Sequence, residues 1–117
     1  MTTQDIVQAY HRARFSGDVP SARATFADGF TFESPLLTAT ADDHLAGLPA
    51  FLGIVTGVDM ISELYGEDEA TLVYDVHTAT PVGTQRTAEF FRLRDGRIAE
   101  IRLIFDASVW RQVMAAR

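Results

Sequence analysis

AEFFRLRDGRIAEIRLIFD, residues 88–106, has the pattern of two strands joined by a tight turn. Asp95-Gly96 stands between two runs of β-forming residues, and that dipeptide takes the left-handed backbone of a tight hairpin turn at low cost. The second arm alternates. Ile98, Glu100, Arg102 and Ile104 fall on one face; Ala99, Ile101, Leu103 and Phe105 fall on the other. The second set is wholly apolar and is expected to cover an interior. Alternation in the first arm places Glu89 beside Phe91 on one face, a carboxylate among aromatics on an otherwise apolar strand. It reads either as a solvated edge-strand acid or as a chemical group.

Working outward, the neighbouring segments read as strands too. Val58–Tyr65 alternates, GEDE at 66–69 is a charged turn, and 70–80 is rich in β-formers. In that strand Leu72, Tyr74 and Val76 face one way, and Val73, Asp75 and His77 face the other. Pro81-Val82-Gly83 is a turn before the strand that begins at Thr84. Ser108–Ala115 predicts a closing helix docked by Trp110 and Met114.

The N-terminal half reads as helices. Thr2 or Thr3 caps the first, whose apolar stripe is Ile6, Val7, Tyr10 and Ala13, and which stops near Gly17. Asp18 caps a second, with Pro20 in its first turn and Asp28-Gly29 at its end. Residues 30–35, FTFESP, predict a short strand with Phe30, Phe32 and Ser34 on one face. Leu36–Ala46 predicts a loop acting as a lid. Its Asp42, Asp43 and His44 are adjacent, and adjacent loop residues rarely converge on one ion, so no metal is expected. Leu48–Val55 predicts a third helix with Phe51 on its buried stripe. Helices followed by a meandering antiparallel sheet make an α+β plan.

The chain has 117 residues, enough for a single domain with one core over 1–117. Its net charge is −6 with no basic stripe, which argues against nucleic acid as a partner. It has no cysteine, so thiolate catalysis and cysteine-ligated zinc are excluded. All ten basic residues are Arg, so Schiff-base chemistry is excluded as well. There is neither a signal-peptide core nor an 18-residue apolar run. No membrane association and a cytoplasmic location are the expectations. No glycine-rich phosphate loop is present.

Three features together resemble the nuclear-transport-factor-2-like superfamily: Tyr10 followed by Gly17-Asp18, FADGFTFESP at 26–35, and RLRDGRIAEIRLIFD at 92–106. The likeness covers nearly the whole chain. Within the superfamily it is strongest to the SnoaL-like and ketosteroid-isomerase-like proteins. It implies a cone in which N-terminal helices pack in a curved, mostly antiparallel sheet around one deep apolar pocket, commonly as a homodimer. The fold hosts isomerases, cyclases, hydrolases and non-catalytic binders, so it does not by itself fix an activity.

The resemblance places Tyr10 at the oxyanion-hole tyrosine of ketosteroid isomerase and Glu89 at its protonated acid. The catalytic base of that enzyme falls at Ser34, whose hydroxyl needs a partner base to remove a carbon-bound proton. The aspartate that SnoaL-type cyclases carry in the final strand falls at Leu103. An alignment through the Gly83 turn puts Asp75 and His77 on the pocket side as replacement bases. It also puts Leu72, Tyr74 and Val76 on an outer face used for dimer contact. The implied pocket is lined by Phe15, Phe30, Phe32, Phe51, Phe91, Ile101, Leu103 and Phe105 and takes a small hydrophobic ligand. The implied chemistry is acid–base, needing no cofactor: proton transfer, cyclisation or hydration of a carbonyl compound. Non-catalytic ligand binding and a dimeric interaction module are the alternatives.

Overall fold

The computed structural model describes residues 1–115. Helices α1 (Thr3–Ser16) and α2 (Val19–Ala24) come first, then β1 (Phe26–Glu33), β2 (Thr38–Thr40), α3 (Ala41–Ala46) and α4 (Leu48–Leu52). Strands β3 (Val55–Tyr65), β4 (Glu69–Thr78), β5 (Thr84–Arg94) and β6 (Arg97–Ile104) follow, and α5 (Ala107–Ala115) closes the described chain. The six strands form one sheet in the order β2-β1-β6-β5-β4-β3. Every pairing is antiparallel except β1 with β6.

The expected hairpin is present. Asp95 and Gly96 have φ of 54° and 74°, the left-handed pair that a two-residue turn requires. Register shifts interrupt the β1–β6, β3–β4 and β5–β6 ladders. Each shift bends its strand and sharpens the local twist, which is how a sheet of this size curls around helices. The shift in β6 falls at Ala99: Leu93 pairs with Ile98, while Arg92 pairs with Glu100. Ile98 therefore joins Ile101 in the interior instead of sharing the outer face with Glu100 and Arg102.

Helix α1 lies in the concavity and carries a Thr2–Asp5 capping box. Its buried stripe is Ile6, Val7, Tyr10, Ala13 and Arg14, so an arginine completes the apolar face. The core it covers includes Phe26, Phe30, Phe91, Ile98 and Ile101. Burying a side chain of this size contributes about 1.5–3 kcal/mol.

Three sequence expectations are corrected. Asp28-Gly29 does not end α2; it lies inside β1, where Gly29 at φ +75° sits in the bulged stretch. Residues 36–46 are not an irregular lid. Thr38–Thr40 pairs with β1, and Thr40 then caps α3, which docks His44 and Leu45 into the core. On β4 the faces are reversed: Leu72, Tyr74 and Val76 point inward and are at most 5% exposed. The physical reason is in the residues. Asp75 and His77 belong with solvent and with opposing charges, and the uncharged set goes to the core. No helix among the described residues is long and apolar enough to cross a membrane.

A buried polar network beside an apolar cavity: the candidate functional site

Three elements, β5, β4 and α1, bring the buried ion pair together. Glu89 faces inward from β5 because Gln85, Thr87, Glu89 and Phe91 alternate with outward Arg86, Ala88, Phe90 and Arg92. Tyr74 lies on the neighbouring strand, where β4 pairs with β5 through Tyr74–Thr87 and Leu72–Glu89. Arg14 reaches both from α1. Its Nη1 donates to the Tyr74 hydroxyl at 3.1 Å and to both Glu89 oxygens at 3.3 Å. The Tyr74 hydroxyl donates to Glu89 Oε1 at 2.7 Å. The Arg14 guanidinium carbon lies 5.1 Å from the ring centres of both Phe15 and Phe51.

A buried ion pair is tolerable only with such hydrogen bonding, because desolvating two charges costs several kcal/mol per ion, on the order given for real proteins. Burial pushes the Glu89 carboxyl up, while Arg14 and Tyr74 pull it back. Burial also raises Tyr74, and the Glu89 charge adds to it. For Arg14 the cost of burial is outweighed by Tyr74 and Glu89, so the guanidinium stays protonated.

Tyr10 belongs to a second cluster. Its hydroxyl shares a hydrogen bond of 2.8 Å with His44 Nε2. The His44 ring stacks on Phe32 with centroids 4.2 Å apart, and Tyr10 packs against Phe26 and Phe91. Burial pushes Tyr10 above its ordinary value. Burial, with the nearby Arg14 charge, pushes His44 down to about 3. The imidazole is therefore neutral at physiological pH.

Both clusters border one cavity of about 390 Å³, within the range of small-molecule sites. Phe32, Leu48, Phe51, Val76, Leu103 and Phe105 give it apolar walls, and Trp110 from α5 joins them. Arg14, Tyr74, Gln85, Thr87 and His44 are polar residues of the same lining. Asp43, at the start of α3, is the one carboxylate residue among the described lining residues.

Of the residues singled out in the sequence, Ser34, Phe32, Phe51, Leu103 and Phe105 line this cavity. Ser34 has a turn role as well: its hydroxyl accepts from the backbone N–H groups of Leu36 and Leu37. Tyr10 and Glu89 are 0% exposed and stand behind the wall, in contact with lining residues. Phe15, Phe30, Phe91 and Ile101 belong to the surrounding core and not to the lining. Asp75 and His77 lie on the opposite face of the sheet. Asp75 pairs with Arg86 at 3.0 Å, and His77 bridges Asp59 at 2.7 Å and Thr84 at 2.8 Å. Their expected place on the pocket side is corrected: on the outer face each finds its charged partner in water. Among the described residues no group of three or more His, Cys, Asp or Glu is placed to hold a metal.

The sequence pattern singles out neither Arg14 nor Gln85, and it places Tyr74 on the outer face and His44 in a loop. Arg14 falls four residues after Tyr10, on the same helical face, and a buried carboxylate needs a buried cation. That pairing is the signal by which it was findable. His44 follows from Thr40-x-x-Asp43, a helix-start pattern that turns residues 41–46 into a helix with an inward face.

No protein-family model matches the sequence, and no curated protein matches it. Solved structures do. A protein from Kribbella flavida DSM 17836 is 33% identical over 97% of this chain and 93% of its own, with a TM-score of 0.84. An NTF2-like protein of unknown function from Cytophaga hutchinsonii superposes with a TM-score of 0.77 at 18% identity, covering 95% of this chain and 96% of that one. A "putative polyketide cyclase" from Sinorhizobium meliloti has a TM-score of 0.75 at 22% identity, covering 85% and 93%. With a 33%-identical relative along nearly all its length, and with NTF2-like neighbours that superpose over most of it, the chain has the nuclear-transport-factor-2-like fold.

Proposed function

We propose that this chain is a SnoaL-like pocket protein that moves a proton beside the carbonyl of a small hydrophobic compound. The observation that carries the reading is the wall of the cavity, where a carboxylate residue, Asp43, and a buried guanidinium, Arg14, border the same apolar space. In the proposed step the Asp43 carboxylate takes a proton from the carbon next to the carbonyl. The C–H electron pair moves into the C–O bond, and Arg14 donates to the resulting enolate oxygen. Returning the proton to another carbon gives an isomer, so atoms and charge balance. Glu89 and Tyr74 are positioning residues that hold Arg14, and Tyr10 holds His44. The fold likeness to the Sinorhizobium meliloti protein is consistent with this chemistry.

The test is deuterium incorporation from D₂O into hydrophobic methyl ketones, followed by NMR. The wild type accelerates exchange, and Asp43→Asn lowers the acceleration by about 10²-fold or more, the usual size of a general-base contribution. No acceleration of any ketone by the wild type contradicts proton transfer. A second reading, non-catalytic binding of the same class of molecule, is favoured by Ser34, whose hydroxyl is engaged in its turn at the place of the isomerase base. Saturable binding without exchange is its signature. Pairing of two copies through the outer face of the sheet is part of the proposal. The candidates there are Leu64 and Ile104, 67% and 61% exposed, with Val73 and Phe90 between them on that face.

A further inference from the structure

Tyr10 and His44 fix one another's protons. The Tyr10 side chain is 0% exposed, and the partner of its hydroxyl among the described residues is His44 Nε2 at 2.8 Å. If Nε2 carried a proton and donated it to the phenol oxygen, the phenol's own proton would be left buried with no acceptor. A charged ring is opposed by burial first and by the Arg14 guanidinium second. The remaining arrangement satisfies both groups. The phenol O–H donates to a bare Nε2, and the single proton of the neutral ring sits on Nδ1.

His44 Nδ1 has no hydrogen-bond partner among the described residues. Nor is it one of the sealed atoms left unpartnered there, which are His11 Nδ1, Arg14 Nε and Gln85 Oε1. A nitrogen that is neither bonded nor sealed has surface of its own, and the space that the buried His44 borders is the cavity. Stacking on Phe32 at an interplanar angle of 16° fixes the plane of the ring, and Phe32 lines the same cavity. Arg14 offers less to that space than its charge suggests. Its Nη1 is engaged by Tyr74 and Glu89 and its Nε is sealed, which leaves Nη2.

We infer that His44 is a catalytic residue of the proposed proton transfer: its neutral ring presents an Nδ1–H donor to the carbonyl oxygen, and Tyr10, behind the wall, is the positioning residue that keeps the proton on that nitrogen. The enolate oxygen then accepts from His44 as well as from Arg14. No proton leaves the ring. The hydrogen bond strengthens as charge develops on the oxygen, and a neutral imidazole does this without placing a second positive charge beside Arg14. The inference rests on the proton-transfer reading above.

NMR on the full chain, labelled with ¹⁵N in its three histidine rings, tests it. At neutral pH the free protein is expected to show His44 with a protonated Nδ1 and a bare Nε2. The ketone probe is 4-hydroxybenzylideneacetone, whose binding is followed independently by the fluorescence of Trp110. On saturation the His44 Nδ1 and its proton are expected to shift, with His77 unmoved. In Tyr10→Phe the Nε2 signal is expected to lose the shift that its hydrogen bond imposes. A proton on Nε2 in the wild type overturns the inference. So does a His44 Nδ1 that stays unmoved while the fluorescence reports a bound ketone, and in either case the pocket reading survives. If the ketone does not bind saturably, the pocket reading and the inference fall together. The wild-type spectra decide the matter even if the variant does not fold.

Discussion

His44 is the residue whose protonation the fold opposes most clearly. Its folded value of about 3 lies below the ordinary 6.5, because burial and the Arg14 charge disfavour the imidazolium. Between those values the unfolded chain binds the proton and the folded chain does not. Stability attributable to this histidine is therefore complete above pH 6.5 and is lost as pH falls toward 3, at up to about 1.4 kcal/mol per pH unit. His11, pushed down to about 4 by burial first and Arg14 second, acts in the same direction. Urea denaturation between pH 7 and pH 4 is expected to show the midpoint falling, with a shallower fall in His44→Gln. A midpoint unchanged over that range contradicts the burial assigned to both rings.

At this scale the sequence was uneven. Glu89 was identifiable because an acid among aromatics on an apolar strand is rare. Arg14 was not, because an arginine near the end of a surface-reading helix is ordinarily solvated, and only its partner reveals it. No local feature of Gln85 marked it; its role depends on where β5 runs relative to the cavity.

Among the elements, β4 is the most instructive. The hairpin at Asp95-Gly96 was legible because turn chemistry and alternation agree there. Strand β4 has hydrophobic residues on both faces, Leu72, Tyr74 and Val76 on one and Val73 on the other. The alignment through the Gly83 turn gives this strand the opposite orientation to the one in the fold. A one-position change in side-chain parity moves a whole strand's set to the other face. Polarity was the better guide, since Asp75 and His77 have ion-pair partners only outside. Leu72→Ala is expected to cost about 2–5 kcal/mol, as large-to-small changes in a packed core do. His77→Ala, which removes a half-exposed surface pair, is expected to cost no more than about 1 kcal/mol. Chemical denaturation of the two variants measures both, and the reverse ranking would restore the inverted orientation.

For the whole molecule, the fold was readable from spacing and motif over nearly the full chain. The cavity was expected, but half of its anticipated lining lies in the core instead. The difference comes from α3, a helix where the sequence pattern predicts a loop. Once capped by Thr40, it closes one side of the cone and puts Asp43 and His44 on the cavity wall. The outer face of the sheet carries Leu64, Val73, Phe90 and Ile104, the surface proposed to pair two copies. Sedimentation of the wild type is expected to report a dimer, and Ile104→Glu a monomer with unchanged circular dichroism. A monomeric wild type contradicts that pairing.

The proposed function makes the cavity inside the sheet the working surface, and not the Asp59–His77 and Asp75–Arg86 pairs on its outer face. Amide chemical-shift mapping with 4-hydroxybenzylideneacetone tests it most directly. Saturable shifts are expected at Asp43, His44, Gln85, Thr87, Leu103 and Trp110, with Asp59, Asp75 and His77 unmoved. Shifts concentrated at Asp59, Asp75 and His77, with the cavity residues silent, would contradict it.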